Sequence, residues 1–259
     1  MRAKILFITG TDTGVGKTLL TSLLLCHLRS RGAGAFALKP FCSGGRADAE
    51  LLHQLQEGDL SLDEINPFYF PEPIAPLISA RKHKRPVPLE RALDHITRLA
   101  SRVPDASVAS NPRSKIKNSN LRIKNFLLIE GSGGLLVPLG ENYTVRDLIV
   151  RLGCDVLLVC PNKLGTINHT LLTLSSLGVW PGRGPRSGLR WPRSVKLVVM
   201  DQRSPDFSSR TNPAILRELI HPRTLVQVPF LEQNCLSVAS VQRAAVKLRT
   251  VLSKLVSSG

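Results

Sequence analysis

Along this chain, short runs of apolar and β-branched residues alternate with longer stretches of helical period, the pattern of a parallel sheet covered by helices on both faces. The strand candidates are Lys4 to Thr9, Ala35 to Lys39, Asn125 to Glu130, Asp155 to Cys160, Val195 to Met200 and Leu225 to Val228. Leu127-Leu128-Ile129 and Val156-Leu157-Leu158-Val159 are apolar without interruption. Strands buried on both faces read that way, whereas a one-sided antiparallel sheet alternates. Residues 17 to 31 carry Leu19, Leu20, Leu23, Leu24 and Leu28 round most of a helical circumference before Gly32, so a buried helix is expected. A last helix, about Val238 to Leu255, sets Val241, Ala244, Ala245, Leu248, Val251, Leu252 and Leu255 opposite Arg243, Lys247, Arg249 and Lys254. That face suits the closing helix of a domain; a basic amphipathic helix on an anionic membrane is the other use of the pattern. The fold class expected is α/β: three layers, doubly wound, with a mostly parallel sheet.

Composition narrows the class without changing it. With 259 residues, 42% hydrophobic and 21% charged, the chain is neither collagen-like, disordered nor disulfide-stapled, and residues 1–259 are expected to form a single domain. No apolar run approaches the ~18 residues of a membrane span. The stretch Ile5 to Ile8 after Arg2 and Lys4 is too short for a signal-peptide core, which points to the cytoplasm. Cys26, Cys42, Cys154, Cys160 and Cys235 contain no Cys-x-x-Cys pair and read as small buried hydrophobes. The net charge of +16 would ordinarily suggest nucleic acid, but nine of those charges fall in two stretches rich in Pro, Gly, Ser or Asn, residues 104–125 and 178–196. Neither has a helical or strand period, so loop insertions at 104–125 and 178–194 are expected, with no nucleic-acid or membrane partner.

The sharpest local signal is Gly10-Thr11-Asp12-Thr13-Gly14-Val15-Gly16-Lys17-Thr18, which follows a predicted strand and opens a predicted helix. In that context the backbone N–H groups of Asp12, Thr13, Gly14, Val15 and Gly16 can turn round phosphate oxygens, with the helix N-terminus adding partial positive charge. Lys17 would reach the β- and γ-phosphates and the Thr18 hydroxyl would ligate Mg²⁺, as in a P-loop NTPase. The usual spelling puts the first glycine at position 11; here it stands one place earlier. Lys39 ends the second strand, at the carboxyl edge where open α/β sheets place ligands. Glu130 ends another and could complete a Mg²⁺ shell opposite Thr18, with a cation partner expected if it is buried. Asp48 reads either as a metal ligand or as the N-cap of the helix that follows.

Taken together, the 10–18 loop, Lys39-Pro40-Phe41-Cys42-Ser43-Gly44, Asn66-Pro67-Phe68-Tyr69-Phe70 with Glu72-Pro73, Glu130-Gly131-Ser132-Gly133-Gly134 with Pro138-Leu139, and Lys163-Leu164-Gly165-Thr166-Ile167-Asn168-His169 resemble dethiobiotin synthetase, in that family's order. The resemblance covers roughly residues 4 to 177, with a weaker tail through Val228-Pro229-Phe230. It implies ATP- and Mg²⁺-dependent conversion of 7,8-diaminononanoate and CO₂ to dethiobiotin, ADP and phosphate. It also implies catalytic roles for Lys17 and Lys39, and ATP binding by residues 12–18 with Pro229 and Phe230 beside the base. Substrate contacts are implied for Thr13, Lys39, Ser43, Gly131, Ser132 and Gly133, and metal ligation for Thr18, Asp48 and Glu130. Gly165, Thr166, Ile167 and Asn168 would open a helix serving the neighbouring subunit's site, which implies a homodimer. His169 reads as a polar residue of that helix's first turn. The chain departs from the family where an adenine-reading Asn is expected and it has Val198-Val199-Met200-Asp201, and in the stretch from Trp180 to Arg193.

Two rival readings use the same loop. A ParA- or MinD-like ATPase would suit the basic charge, but such proteins resemble Lys-Gly-Gly-x-Gly-Lys-Thr, with an early lysine where this chain has Asp12. A cobyrinic acid diamide synthase relative would need an appended glutaminase domain, for which nothing after residue 230 is long enough.

Overall fold

The computed structural model describes residues 3–104, 125–179, 192–220, 225–231 and 236–257. Most of the expected insertions at 104–125 and 178–194, together with Cys235, lie outside them. In chain order the elements are β1 (Lys4–Gly10), α1 (Lys17–Ser30), β2 (Ala35–Leu38), β3 (Phe41–Ser43), α2 (Ala47–Leu55), α3 (Leu62–Ile65), β4 (Phe68–Phe70), α4 (Pro76–Lys82), α5 (Leu89–Arg102) and β5 (Phe126–Gly134). They continue with β6 (Pro138–Gly140), β7 (Tyr143–Thr144), α6 (Val145–Leu152), β8 (Asp155–Pro161), α7 (Thr166–Leu177), β9 (Val195–Met200), α8 (Asn212–Ile220), β10 (Leu225–Val228), α9 (Val238–Lys247) and α10 (Arg249–Val256).

The six expected strands form one parallel sheet in the order β10-β9-β8-β1-β5-β2. Their side chains go to both faces. Leu157, Val159, Val198 and Met200 join the large core, while Leu158, Cys160, Leu197 and Val199 form a smaller one beneath α7 and α8. Uninterrupted apolar runs are therefore what these strands require: Leu127, Leu128 and Ile129 are all fully buried. Order of pairing puts β1 at the centre, so the turn that follows it opens at the middle of the sheet's carboxyl edge.

Two small pairs stand beside that edge: a parallel pair of β3 with β4, and an antiparallel hairpin of β6 with β7. The last helix is two segments rather than one. It bends at Leu248, whose φ and ψ are −95° and 11°, although the hydrogen bonds Leu248 N–H to Ala244 O and Leu252 N–H to Leu248 O carry the ladder through. Leu248, Leu252 and Leu255 remain buried after Val241, Ala244 and Ala245. The apolar face of α9 and α10 is thus spent on the fold. Among the described residues no helix is long and apolar enough to cross a membrane.

Candidate active site

β1 feeds a turn that is tight at its neck. A Cβ on Gly10 would come within 2.6 Å of Val15 Cγ2 and 3.2 Å of Lys17 Nζ. A side chain at position 10 would therefore collide with the returning arm of the loop, and glycine fits there. Thr11, one residue later, instead donates its N–H to Val159 O at 2.9 Å and ties the loop to β8. Gly16 caps α1 in the left-handed region at φ 101°, with room for a Cβ only 3.2 Å from Met200 Cε. Lys17 arches back over the loop and donates to the Asp12 carbonyl at 2.7 Å. Its ammonium is pulled down to about 8, first by burial and also by the neighbouring Lys39 cation, against the opposing pull of Glu130.

Across from this loop, Lys39 follows β2 and is pinned by its backbone. Its N–H donates to Ile65 O, and its carbonyl accepts from Asn66 Nδ2 at 2.9 Å. The Lys39 ammonium donates to Glu130 Oε1 at 2.6 Å and to Asp48 Oδ2. Burial alone would strip its proton more easily, yet Glu130 and Asp48 outweigh that and hold it above the ordinary lysine range. Glu130 therefore has the cation partner its burial demands, being 1% exposed. The same Oε1 accepts from Thr18 Oγ1 at 2.7 Å, whereas Oε2 is buried with no hydrogen-bond partner among the described residues.

Asp48 does not cap its helix. α2 begins at Ala47 with Arg46 as its cap residue, so Asp48 falls inside the first turn, where a carboxylate is favoured by the helix dipole and is free to turn toward Lys39. Among the described residues the buried Ser43 Oγ has no hydrogen-bond partner, while Ser132 Oγ donates to Phe41 O at 2.5 Å. Cys42 is beside these groups, its thiol pushed up to about 12 chiefly by burial, so it is an inert wall and no nucleophile.

These groups share one cavity of about 870 Å³. Its polar wall holds Thr13, Gly14, Gly16, Lys17, Thr18, Lys39, Ser43, Asp48, Glu130, Ser132 and Gly133. Its apolar surface comes from the approach to α4, at Pro73, Ile74 and Pro76, from Val137 and Pro138, and from Leu19, Leu231 and Leu236.

The comparisons with known proteins bear on the same residues. The family model described as AAA domain matches residues 4–234. The ATP-dependent dethiobiotin synthetase BioD of Anaeromyxobacter sp. (strain Fw109-5) is 40% identical over 176 residues, covering 66% of this chain and 70% of that protein. The protein of the same name from Thermodesulfovibrio yellowstonii is 34% identical over 245 residues, covering 88% and 89%. This chain belongs to the dethiobiotin synthetase family. A ParA family ATPase from Chlorobium tepidum superposes with a TM-score of 0.55 over 98% of this chain and 99% of its own, at 14% identity, a likeness of fold alone.

Not every candidate position of this dethiobiotin synthetase relative meets in the cavity. Pro229 and Phe230 do not line it; Leu231, one residue on, does. Gly131 lies behind the polar wall, close to Phe7 and Val145. Gly165 to Asn168 follow β8 and lie outside the lining. Gly165 caps α7, Thr166 is buried with its N–H returned to Lys163 O, and the N–H groups of Ile167 and Asn168 have no acceptor among the described residues. His169 stands exposed in the first turn of α7, away from the cavity. The residues that sequence reasoning passed over are the apolar ones. Glu72-Pro73 and Pro138 carried the resemblance, yet nothing in a proline or isoleucine alone marks it as a substrate wall.

Proposed function

We propose that this protein is a dethiobiotin synthetase, closing the ureido ring of dethiobiotin from 7,8-diaminononanoate and CO₂ with ATP, in the cytoplasm. The observation that carries the reading is Lys39, held between Glu130 and Asp48 in one cavity with the phosphate-binding loop and Lys17. One substrate amine and CO₂ form a carbamate, losing a proton; a carbamate oxygen attacks the γ-phosphorus and releases ADP. The second amine then attacks the carbamoyl carbon and gives up a proton, the C–O bond breaks, and phosphate leaves with that oxygen. Two anions must meet in the middle step, so flanking cations are the main requirement. Lys17 and Lys39 supply them, Ser43 and Thr13 offer uncharged hydroxyls to the oxygens, and Ile74, Val137 and the prolines suit an aliphatic chain.

The donor set fits Mg²⁺. Thr18, Asp48 and Glu130 offer hard oxygens, and Glu130 Oε2 is a buried acceptor with no hydrogen-bond donor among the described residues. When bound, the ion would neutralise charge on the β- and γ-phosphates. Residues 12–18 would hold the triphosphate, with Pro229 and Phe230 near the base, and Ser132 and Gly133 would let substrate approach the backbone. We also propose one synthetase domain over residues 1–259 with insertions at 104–125 and 178–194, acting without nucleic acid or membrane. A homodimer is supported by Leu164 and Phe207, which are 80% and 83% exposed beside the start of α7. In it Gly165, Thr166, Ile167 and Asn168 would hold the carboxylate of the diamine in the partner's site, through the free N–H groups.

The test is dethiobiotin formation, read by mass spectrometry from purified protein given 7,8-diaminononanoate, bicarbonate, ATP and Mg²⁺. Product is expected, with a loss of ~100-fold or more in Lys17→Ala. A folded, ATP-binding protein that makes no product with ATP, CTP or GTP would overturn the reading.

A further inference from the structure

The apolar wall of the cavity has two parts that come from different places in the chain. One is the strap of residues 71–75 between β4 and α4, which brings Pro73 and Ile74; the other is the entry to the hairpin of β6 and β7, with Val137 and Pro138. The strap has little to fix it locally. Among the described residues its backbone between positions 71 and 74 makes one hydrogen bond, within itself, from Ile74 N–H to Glu72 O at 2.9 Å. Pro73 packs on Gly44, where a Cβ would come within 2.6 Å of Pro73 Cβ.

The far end of α4 reaches both parts. Its last turn and the residue after it read Arg81-Lys82-His83, and each of the three meets a carboxylate on a segment of the wall. Lys82 Nζ donates to Glu72 Oε1 at 2.7 Å, and His83 Nε2 faces Glu72 Oε2 at 2.8 Å; a carboxylate only accepts, so that nitrogen carries its hydrogen. The His83 ring also stacks on Phe70 at the end of β4, with centroids 6.4 Å apart. Arg81 instead forks onto Glu141 in the hairpin turn, Nε to Oε1 and Nη2 to Oε2, both at 2.7 Å. Lys82 first and then His83 bring the Glu72 carboxyl down to about 2, and Arg81 lowers that of Glu141, so both stay ionised at neutral pH. The dipole of α4 would draw cations to its end whatever they faced. It does not explain why they pair with two separate segments that wall one cavity.

We propose that Glu72 and Glu141 are positioning residues for the aliphatic chain of the diamine substrate: joined through the end of α4, they set the gap between the strap and the hairpin. The inference rests on the reading of this cavity as the diamine site. Both carboxylates reach solvent, and exposed pairs are worth little to global stability, so variants at these positions should fold.

The experiment measures kcat and KM for 7,8-diaminononanoate, for 5,6-diaminoheptanoate, which is shorter by two methylenes, and for ATP. It compares the full-length protein with Glu72→Ala, Glu141→Ala, the double variant and Glu72→Gln. In kcat/KM the parent protein should favour the longer chain by ~10-fold, from two methylenes on an apolar wall. Each alanine variant should raise the KM for 7,8-diaminononanoate about threefold and reduce that preference, with the KM for ATP within about twofold. Because either cut frees the same gap, the double variant should be little worse than the poorer single, where independent effects would multiply to about ninefold. Glu72→Gln keeps one acceptor oxygen and should lie between Glu72→Ala and the parent. A preference left intact in both alanine variants, a raised KM for ATP in its place, or single effects that multiply would overturn the positioning role while dethiobiotin formation stands. If the parent makes dethiobiotin without favouring the longer chain, the wall does not hold that chain and the inference is wrong. If it makes none, the reading of the site fails and the inference with it.

Discussion

Lys39 and Glu130 show how a single residue's chemistry is set by its surroundings. Sequence placed both at strand ends and predicted that a buried Glu130 would need a cation; the pair at 2.6 Å supplies it. What sequence could not supply was the sharing, with Thr18 and Lys39 on one Glu130 oxygen and none on the other. Asp48 was ambiguous for a related reason, since an aspartate at a helix start satisfies the dipole as well inside the first turn as at the cap. The asymmetry of the cluster gives a prediction for stability. Lys39→Met leaves Glu130 charged and enclosed and should cost about 3–5 kcal/mol, the usual penalty for breaking a buried pair from one side. Glu130→Gln leaves Lys39 its bond to Asp48 and should cost clearly less. Urea unfolding of the two variants checks the order; equal losses would mean that the cluster is not organised around Glu130.

Among the elements, those with long periodic patterns were legible and those made by contact with others were not. Val195–Met200 and Leu225–Val228 form where the apolar runs predict, and α1 ends one residue before the expected boundary. The pairs β3 with β4 and β6 with β7 have two or three residues per strand, too few for any period to show. The break at Leu248 was hidden because the apolar spacing runs straight through it. The phosphate loop is the element whose spelling departs from the usual motif, and its geometry explains the departure at Gly10. Gly10→Val would drive its side chain into Val15 and the Lys17 ammonium. Nucleotide affinity, measured with a fluorescent ATP analogue, should fall ~10-fold or more while the far-ultraviolet dichroism is kept, given a misplacement of the loop by an ångström or so. Unchanged affinity would show that the neck of the loop is not tight.

For the molecule as a whole, the doubly wound sheet was readable because its central strands, buried on both faces, leave an apolar signature that little else produces. The positions of the apolar cavity wall were not, since they depend on how α4, the hairpin and the chain after β10 meet. Acid stability is a property of the same scale. Burial holds His27 and His95 below the ordinary value of 6.5, so the unfolded chain takes protons first as the pH falls through that value, and stability is lost. Arg102 beside Glu64 lowers that carboxyl, and for Asp155 burial is outweighed by Lys4 and Ser194, so both add stability that is lost as pH falls below about 4.5 and 3.8. The two effects have the same sign, and Tm should decline in two stages on acidification from pH 7; a rise between pH 7 and 5 would contradict the assignment.

The central claim is that this cavity joins CO₂, a diamine and ATP through a phosphorylated carbamate. The most direct measurement supplies ¹⁸O-labelled CO₂ in a short reaction with 7,8-diaminononanoate, ATP and Mg²⁺ and follows the label into both products by mass spectrometry. Transfer of one labelled oxygen to inorganic phosphate, in step with dethiobiotin, is the predicted result. Phosphate released without label, or without dethiobiotin, would mean that water and not a carbamate receives the γ-phosphoryl group, and the account would be wrong.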